Sequence, residues 1–130
     1  SSRFHQRTLQ LVDAASRTTG CRAALYDLAD TEALKSSLLN STLLVNATSV
    51  GMAPDTGHSV LEDTSLFHPG LIVADIIYNP RETKFLSLAK AAGCRTFNGL
   101  HMLLYQGAEA FRLWTGRQMP VESIKEKYYI

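Results

Sequence analysis

Cysteine is scarce in this sequence, with two residues, and tryptophan scarcer still, with one. Two cysteines without an apolar leader at the N-terminus make no disulfide framework. Cys21 and Cys94 each precede an arginine at the start of an expected strand, a place for reduced, buried thiols, and a cytoplasmic setting follows. Neither sign of charge dominates: 13 Lys and Arg stand against 12 Asp and Glu, for a formal charge of +1. Without a basic run or interleaved aromatics, a nucleic-acid partner is not expected. Long apolar runs are missing too. Stretches such as residues 71–74 fall far short of the roughly 20 residues a membrane span needs, so no membrane association is expected. His5, His58, His68 and His101 show neither H-x-x-x-H spacing nor paired cysteines, which argues against a zinc site. His58 with Glu62 and Asp63 sits in a polar stretch and reads as solvated rather than as a metal cluster. No G-x-S-x-G elbow supports hydrolase chemistry, and no G-x-G-x-x-G turn occurs.

What is present is an alternation of two periodicities. At 130 residues and 45% hydrophobic content the chain suits a single globular domain. Phe4, Leu9, Val12 and Ala15 mark a first amphipathic helix, with Ser1 or Ser2 as its cap and Gly20 near its end. Residues 22–26 then read as a strand. Asp30-Thr31 opens a second helix carrying Leu34, Leu38 and Leu39, followed by the short apolar run Leu43-Leu44-Val45. Residues 46–69 form a long connection rich in Gly, Pro, Asp and Ser, with one short turn at 65–67; such loops are usually functional. Residues 71–78 are the longest strand candidate, apolar enough to suggest burial on both faces. A helix over 83–92 stops at Gly93, Arg95-Thr96-Phe97 is a last strand ending at Asn98-Gly99, a helix runs over 100–115, and another starts at Pro120.

This order predicts an open α/β sheet of parallel strands, with the loops after the strands gathered on one edge. Those loops are residues 46–52, Tyr78-Asn79-Pro80 and Asn98-Gly99. Together they offer hydroxyls, amides, one phenol and methionine side chains, a surface suited to a planar ring. Along the 100–115 helix, Leu100, Leu103, Leu104, Ala108, Phe111 and Thr115 form the expected buried stripe. Met102 and Gln106 share the stripe beside it. Gln106 alone reads more readily as a solvated or internally bonded amide than as a ligand contact. Asp75 reads as a structural carboxylate bonding loop amides, and Thr115-Gly116 as a helix stop.

Several of these segments, in one order and register, resemble the shikimate dehydrogenase family, particularly its quinate/shikimate branch. They are residues 46–52, Asp75 to Pro80 with Thr83, Asn98-Gly99 through Met102 to Ala108, then Phe111 and Trp114-Thr115-Gly116. The resemblance covers about residues 1–127. It implies NAD(P)-dependent hydride transfer between 3-dehydroshikimate and shikimate, with quinate as a further substrate, in aromatic amino-acid biosynthesis or quinate use. It also implies a two-domain enzyme in which the other domain supplies the catalytic Lys and Asp. This chain, residues 1–130, then corresponds to the C-terminal part of a Rossmann-like NAD(P)-binding domain, truncated on its N-terminal side, with no catalytic residue of its own and no turnover alone.

By the same resemblance, Ser49, Ile76, Ile77, Tyr78, Asn79, Gly99 and Met102 are cofactor-binding positions, with the 76–79 backbone bordering the nicotinamide and Met102 packed near the ring. Tyr78 and Gln106 are positions that reach substrate oxygens. Ser2 stands where NAD-using relatives carry Asp, which leans toward NADP or dual use. His101 stands where many relatives carry Gly; it either alters access to the nicotinamide or serves as a surface side chain. The competing reading is an inactive fragment acting as a binding or interaction module. Loss of the first strand would leave an open sheet edge near 22–26 and favour self-association.

Overall fold

The computed structural model describes residues 2–128; Ser1 lies outside them, as do the side chains of Ser2 and Phe4, so those expectations are not addressed. The chain divides into two compact units, residues 1–37 and 38–130.

The first unit is led by α1 (Ser2–Thr19). Its C-terminal turn closes with Gly20 at φ 70°, whose N–H bonds the Ser16 carbonyl at 3.1 Å, a left-handed stop that glycine adopts at no steric cost. Helix α2 (Thr31–Leu39) starts where Asp30 Oδ1 accepts the Ala33 N–H at 3.0 Å, satisfying one orphan donor of the first turn. Between them the expected strand at 22–26 does not form: residues 20–30 contain no regular element. Its sequence, Arg-Ala-Ala-Leu-Tyr, holds only one strong strand former, and an extended segment becomes a strand only when a neighbour completes its ladder. Cys21, placed in this irregular stretch, is exposed rather than buried, whereas Cys94 is buried; both are free thiols.

The second unit holds a parallel sheet in the order β1 (Leu43–Asn46), β2 (Ile72–Asp75), β3 (Arg95–Phe97). The apolar run at 71–78 thus yields a strand of 4 residues. Past Asp75 the backbone leaves the ladder, because Asp75 turns its own carboxylate onto the Ile77 N–H at 3.0 Å. Register pairs Leu44 with Val73 and Asn46 with Asp75. Val73, Asp75 and Asn46 are buried, while Leu43, Val45 and Phe97 of the opposite face are about half exposed. The sheet therefore buries one face well and the other only in part, short of the two-sided burial its apolar sequence suggests.

Helix α3 (Lys84–Ala91) packs on β2 and β3, and α4 (Leu100–Thr115) meets α5 (Val121–Tyr128). Phe85, Leu71, Val73 and Thr83 are the largest fully buried side chains. The Phe85 ring lies 6.0 Å from that of Phe67 at 56°, a tilted pairing that aromatic quadrupoles favour. Phe67 and Leu61 bring the long connection into the core, which orders it around the short 3-10 turn Thr64–Leu66. Along α4 only Leu104 is fully buried; Phe111 and Thr115 of the expected stripe are exposed, and neighbouring Trp114 is 85% exposed. A helix stripe is buried only as far as there is a surface beneath it.

Candidate functional site

Two short polar residues end paired strands. Asn46 closes β1, Asp75 closes β2, and both are nearly inaccessible. Burying them costs free energy unless every polar atom is partnered, and here each is. Asp75 Oδ1 accepts from Asn46 Nδ2 at 3.2 Å and from the Ile77 N–H at 3.0 Å, while Oδ2 accepts from Thr83 Oγ1 at 2.7 Å. Asn46 Nδ2 also donates to the Val50 carbonyl at 3.3 Å, and Asn46 Oδ1 accepts from the Thr48 N–H at 3.0 Å and its hydroxyl at 2.7 Å. Thr83 in turn accepts the Leu86 N–H at 3.3 Å as the cap of α3. Asp75 is thus the structural carboxylate its sequence context suggests. The hub built on it joins the first and second strand-end loops to a helix N-terminus.

The third loop is tied in by the backbone. Gly99 N–H donates to the Ile77 carbonyl at 2.9 Å, and Asn98 Nδ2 to the Arg81 carbonyl at 2.9 Å. Ala53 N–H reaches the Asn79 carbonyl at 3.1 Å, closing the first loop on the second. Gly99 has an ordinary φ of −76°, so backbone freedom is not its reason for being there. Space is: a Cβ would sit 1.9 Å from the Ile76 carbonyl oxygen.

Between the loops lies a cavity of about 460 Å³. Of the sequence-predicted residues, Ser49, Ile76, Ile77, Tyr78, Asn79 and Met102 line it together. Gly99 stands behind the wall, against Ile76. Gln106 is not among the lining residues: its Nε2 donates to the Leu103 carbonyl of its own helix at 3.1 Å, the local bonding that its position alone suggested. Ala47, Thr48 and Met52, inside the expected 46–52 loop but not singled out in it, also line the cavity, and Ala53, one residue beyond that loop, was missed. The signal was their place in the loop after β1; which of them face inward depends on the Asn46 hub. The lining is largely apolar, with Thr48, Ser49, Tyr78 and Asn79 as its polar side chains and no Asp, Glu, Lys, Arg or His. Such a cleft can orient a planar group; it has no carboxylate or imidazole to move a proton.

The remaining candidates lie outside this cavity. His58 is exposed and 3.7 Å from Asp55. Glu62 bonds Lys84 Nζ at 2.7 Å, and that bond holds its carboxyl below the usual carboxylate range. Among the described residues no group of three or more His, Cys, Asp or Glu is placed to hold a metal ion. His101 is exposed, and its ring stacks on Tyr105 at 6.4 Å. Among the described residues no helix is long and apolar enough to cross a membrane.

Comparison with known proteins gives a consistent picture. Residues 99–127 match the family model described as the Shikimate 5'-dehydrogenase C-terminal domain. A curated shikimate dehydrogenase (NADP(+)) of Listeria innocua is 42% identical over 95% of this chain and 42% of its own length. A quinate/shikimate dehydrogenase of Escherichia coli O139:H28 is 43% identical over 95% of the chain and 43% of its own length. Among solved structures, the shikimate 5-dehydrogenase of Listeria monocytogenes in complex with shikimate and NAD superposes with a TM-score of 0.87 and 40% identity, over 97% of this chain and 44% of that one. The quinate dehydrogenase of Corynebacterium glutamicum in complex with NAD gives 0.76 and 31%, over 95% and 42%. The chain spans about two fifths of the length of the curated relatives it matches.

Proposed function

The chain belongs to the shikimate dehydrogenase family, and on that premise we propose that its cleft is the cofactor-binding part of an NAD(P)-dependent shikimate or quinate/shikimate dehydrogenase. The reaction is hydride transfer between NAD(P)H and 3-dehydroshikimate, giving shikimate, with quinate as a further substrate. The observation that carries this reading is the convergence of the first two strand-end loops and Met102 of α4 on one largely apolar cavity, backed by Gly99 of the third loop, whose missing Cβ lets the chain pass against Ile76. Its volume falls within the range of small-molecule sites, and an uncharged lining suits the flat ring of a nicotinamide.

When bound, the dinucleotide supplies or accepts the hydride. The protein's part is orientation. Ile76, Ile77, Tyr78 and Asn79 form one wall and Met102 another, with Gly99 holding the first in place. Ser49 lines the same cavity, and its hydroxyl is a cofactor contact in this reading. Tyr78, exposed at the cavity rim, and Gln106, on the exposed side of α4, are the substrate contacts of the proposal. Gln106 would have to release the Leu103 carbonyl to serve. Proton transfer to the substrate oxygen then falls to groups outside the cleft lining, in keeping with a division of labour between two domains. NADP and NAD both remain candidate cofactors, and the setting we propose is the cytoplasm, in the pathway of aromatic amino-acid biosynthesis.

Steady-state oxidation of shikimate with NADP+ and NAD+, run on the full-length protein and on the 130-residue chain, tests this. Turnover by the full-length protein and none by the chain alone is expected. Family-level rates from the 130 residues would overturn the division of labour. Failure of the full-length protein to bind either dinucleotide would overturn the cofactor reading and favour an interaction module, to which the half-exposed sheet face lends support.

A further inference from the structure

The hydrogen-bond polarity of Thr48 is fixed by residues behind it. Asp75 Oδ1 and the Val50 carbonyl oxygen both face the same terminal atom of Asn46, at 3.2 Å and 3.3 Å, and the Thr48 N–H faces the other at 3.0 Å. Only one amide orientation satisfies all three: nitrogen toward the two acceptors and oxygen toward the donor. The Thr48 hydroxyl lies 2.7 Å from that amide oxygen. An amide oxygen cannot donate, so the hydroxyl proton is committed to it. The Val50 N–H occupies one lone pair of the same hydroxyl at 3.2 Å. What Thr48 retains is a single lone pair, on an exposed side chain that lines the cavity.

We infer that Thr48 is a specificity-determining residue that acts only as an acceptor, and that it receives a hydrogen bond from an exocyclic –NH2 of the bound dinucleotide, on the nicotinamide carboxamide or on the adenine. This rests on the reading of the cavity as a dinucleotide site and adds to it the sign of one contact. A phosphate or carbonyl oxygen placed against Thr48 would meet an oxygen with no proton to give, and binding would be penalised. An –NH2 group fits the cavity's uncharged lining and completes the hydroxyl's valence. The selection originates in Asp75, an acceptor whose bond to Asn46 propagates outward to the ligand.

The test is calorimetric titration of the full-length protein and of its Thr48→Val and Thr48→Ser variants with NADP+ and NAD+. Two analogues complete the set: the 3-acetylpyridine dinucleotide, which lacks the carboxamide –NH2, and the hypoxanthine dinucleotide, which lacks the adenine –NH2. Thr48→Val is expected to weaken the natural cofactor about three- to ten-fold, the effect of one hydrogen bond, with Thr48→Ser close to wild type. One analogue, and only one, should bind Thr48→Val and wild type equally, and that one identifies the donor; a merely structural change in the loop would weaken every ligand alike. Equal losses for Thr48→Val and Thr48→Ser, no loss at all, or a Thr48→Val loss that persists with both analogues would overturn the inference while leaving the cofactor site standing. Wild type that binds no dinucleotide would overturn the site itself and the inference with it.

Discussion

A methyl group on Gly99 would lie 1.9 Å from the carbonyl oxygen of Ile76 and 2.5 Å from its carbonyl carbon. Those atoms are backbone, so neither side can step aside cheaply. Gly99→Ala is expected to destabilise the fold by about 1–3 kcal/mol, the usual cost of overpacking, and to push the 76–79 wall into the cavity. Urea unfolding reads the first effect and dinucleotide affinity the second; unchanged affinity would show that the wall is not held by this contact.

Thr83 is the other point where site and core meet. Thr83→Val keeps the volume but leaves Asp75 Oδ2 and the Leu86 N–H without their partner, at an expected cost of about 1–3 kcal/mol. Thr83→Ser should recover most of it. Chemical denaturation of both variants checks this, and a larger loss for Thr83→Ser than for Thr83→Val would mean that the methyl group, rather than the hydroxyl, is what matters.

Phe85 is fully buried and packs on Phe67. Phe85→Ala should cost about 3–5 kcal/mol, from lost transfer energy and the cavity left behind. A loss of unfolding free energy of less than a third of that in urea denaturation would place the core elsewhere.

The two thiols should differ in reactivity. Cys21 is exposed; burial pushes the Cys94 thiol up, and its Sγ–H donates to the His68 carbonyl at 3.2 Å. At pH 8 an alkylating reagent should modify Cys21 first, with Cys94 protected until unfolding. A pKa raised in the folded state means that the unfolded chain ionises first. The stabilising contribution of Cys94 is therefore present below the ordinary thiol pKa of about 8.5 and lost as pH rises through the folded value. Cys94→Ala should reduce this alkaline loss of stability.

Leu43 and Val45 leave a half-exposed face beside a β1 edge that no described strand pairs. The 130-residue chain should self-associate with rising concentration in sedimentation experiments, and Val45→Lys should weaken the association, since a charge on an edge strand resists pairing. A monomer at all concentrations would sink this expectation.

Much of the fold could be read from the sequence because it rests on short-range causes. Asp30 and Thr83 cap helices whose first turns begin beside them, Gly20 and Gly116 end helices in the left-handed region, and the parallel order follows from alternating periods of chain. The site could be read as far as its loops. Six of the predicted residues line one cavity, because strand ends in an open parallel sheet face the same edge whatever the details. The expected strand at 22–26, the buried thiol at Cys21 and the fully buried α4 stripe misled, for one reason: propensity and pattern describe a residue's capacity to be covered, and only neighbours cover it.

Local residue order sets where elements start and stop and which edge gathers the ligand groups, since these depend on dihedral preference, capping and periodicity within a few residues. The tertiary structure decided which groups act. Asn46 and Asp75 are 29 residues apart and carry no local sign of their bond. Their pairing sets the polarity of Thr48, and only the folding of two strands into register brings them together, because a hydrogen bond is decided by what lies within about 3 Å in space.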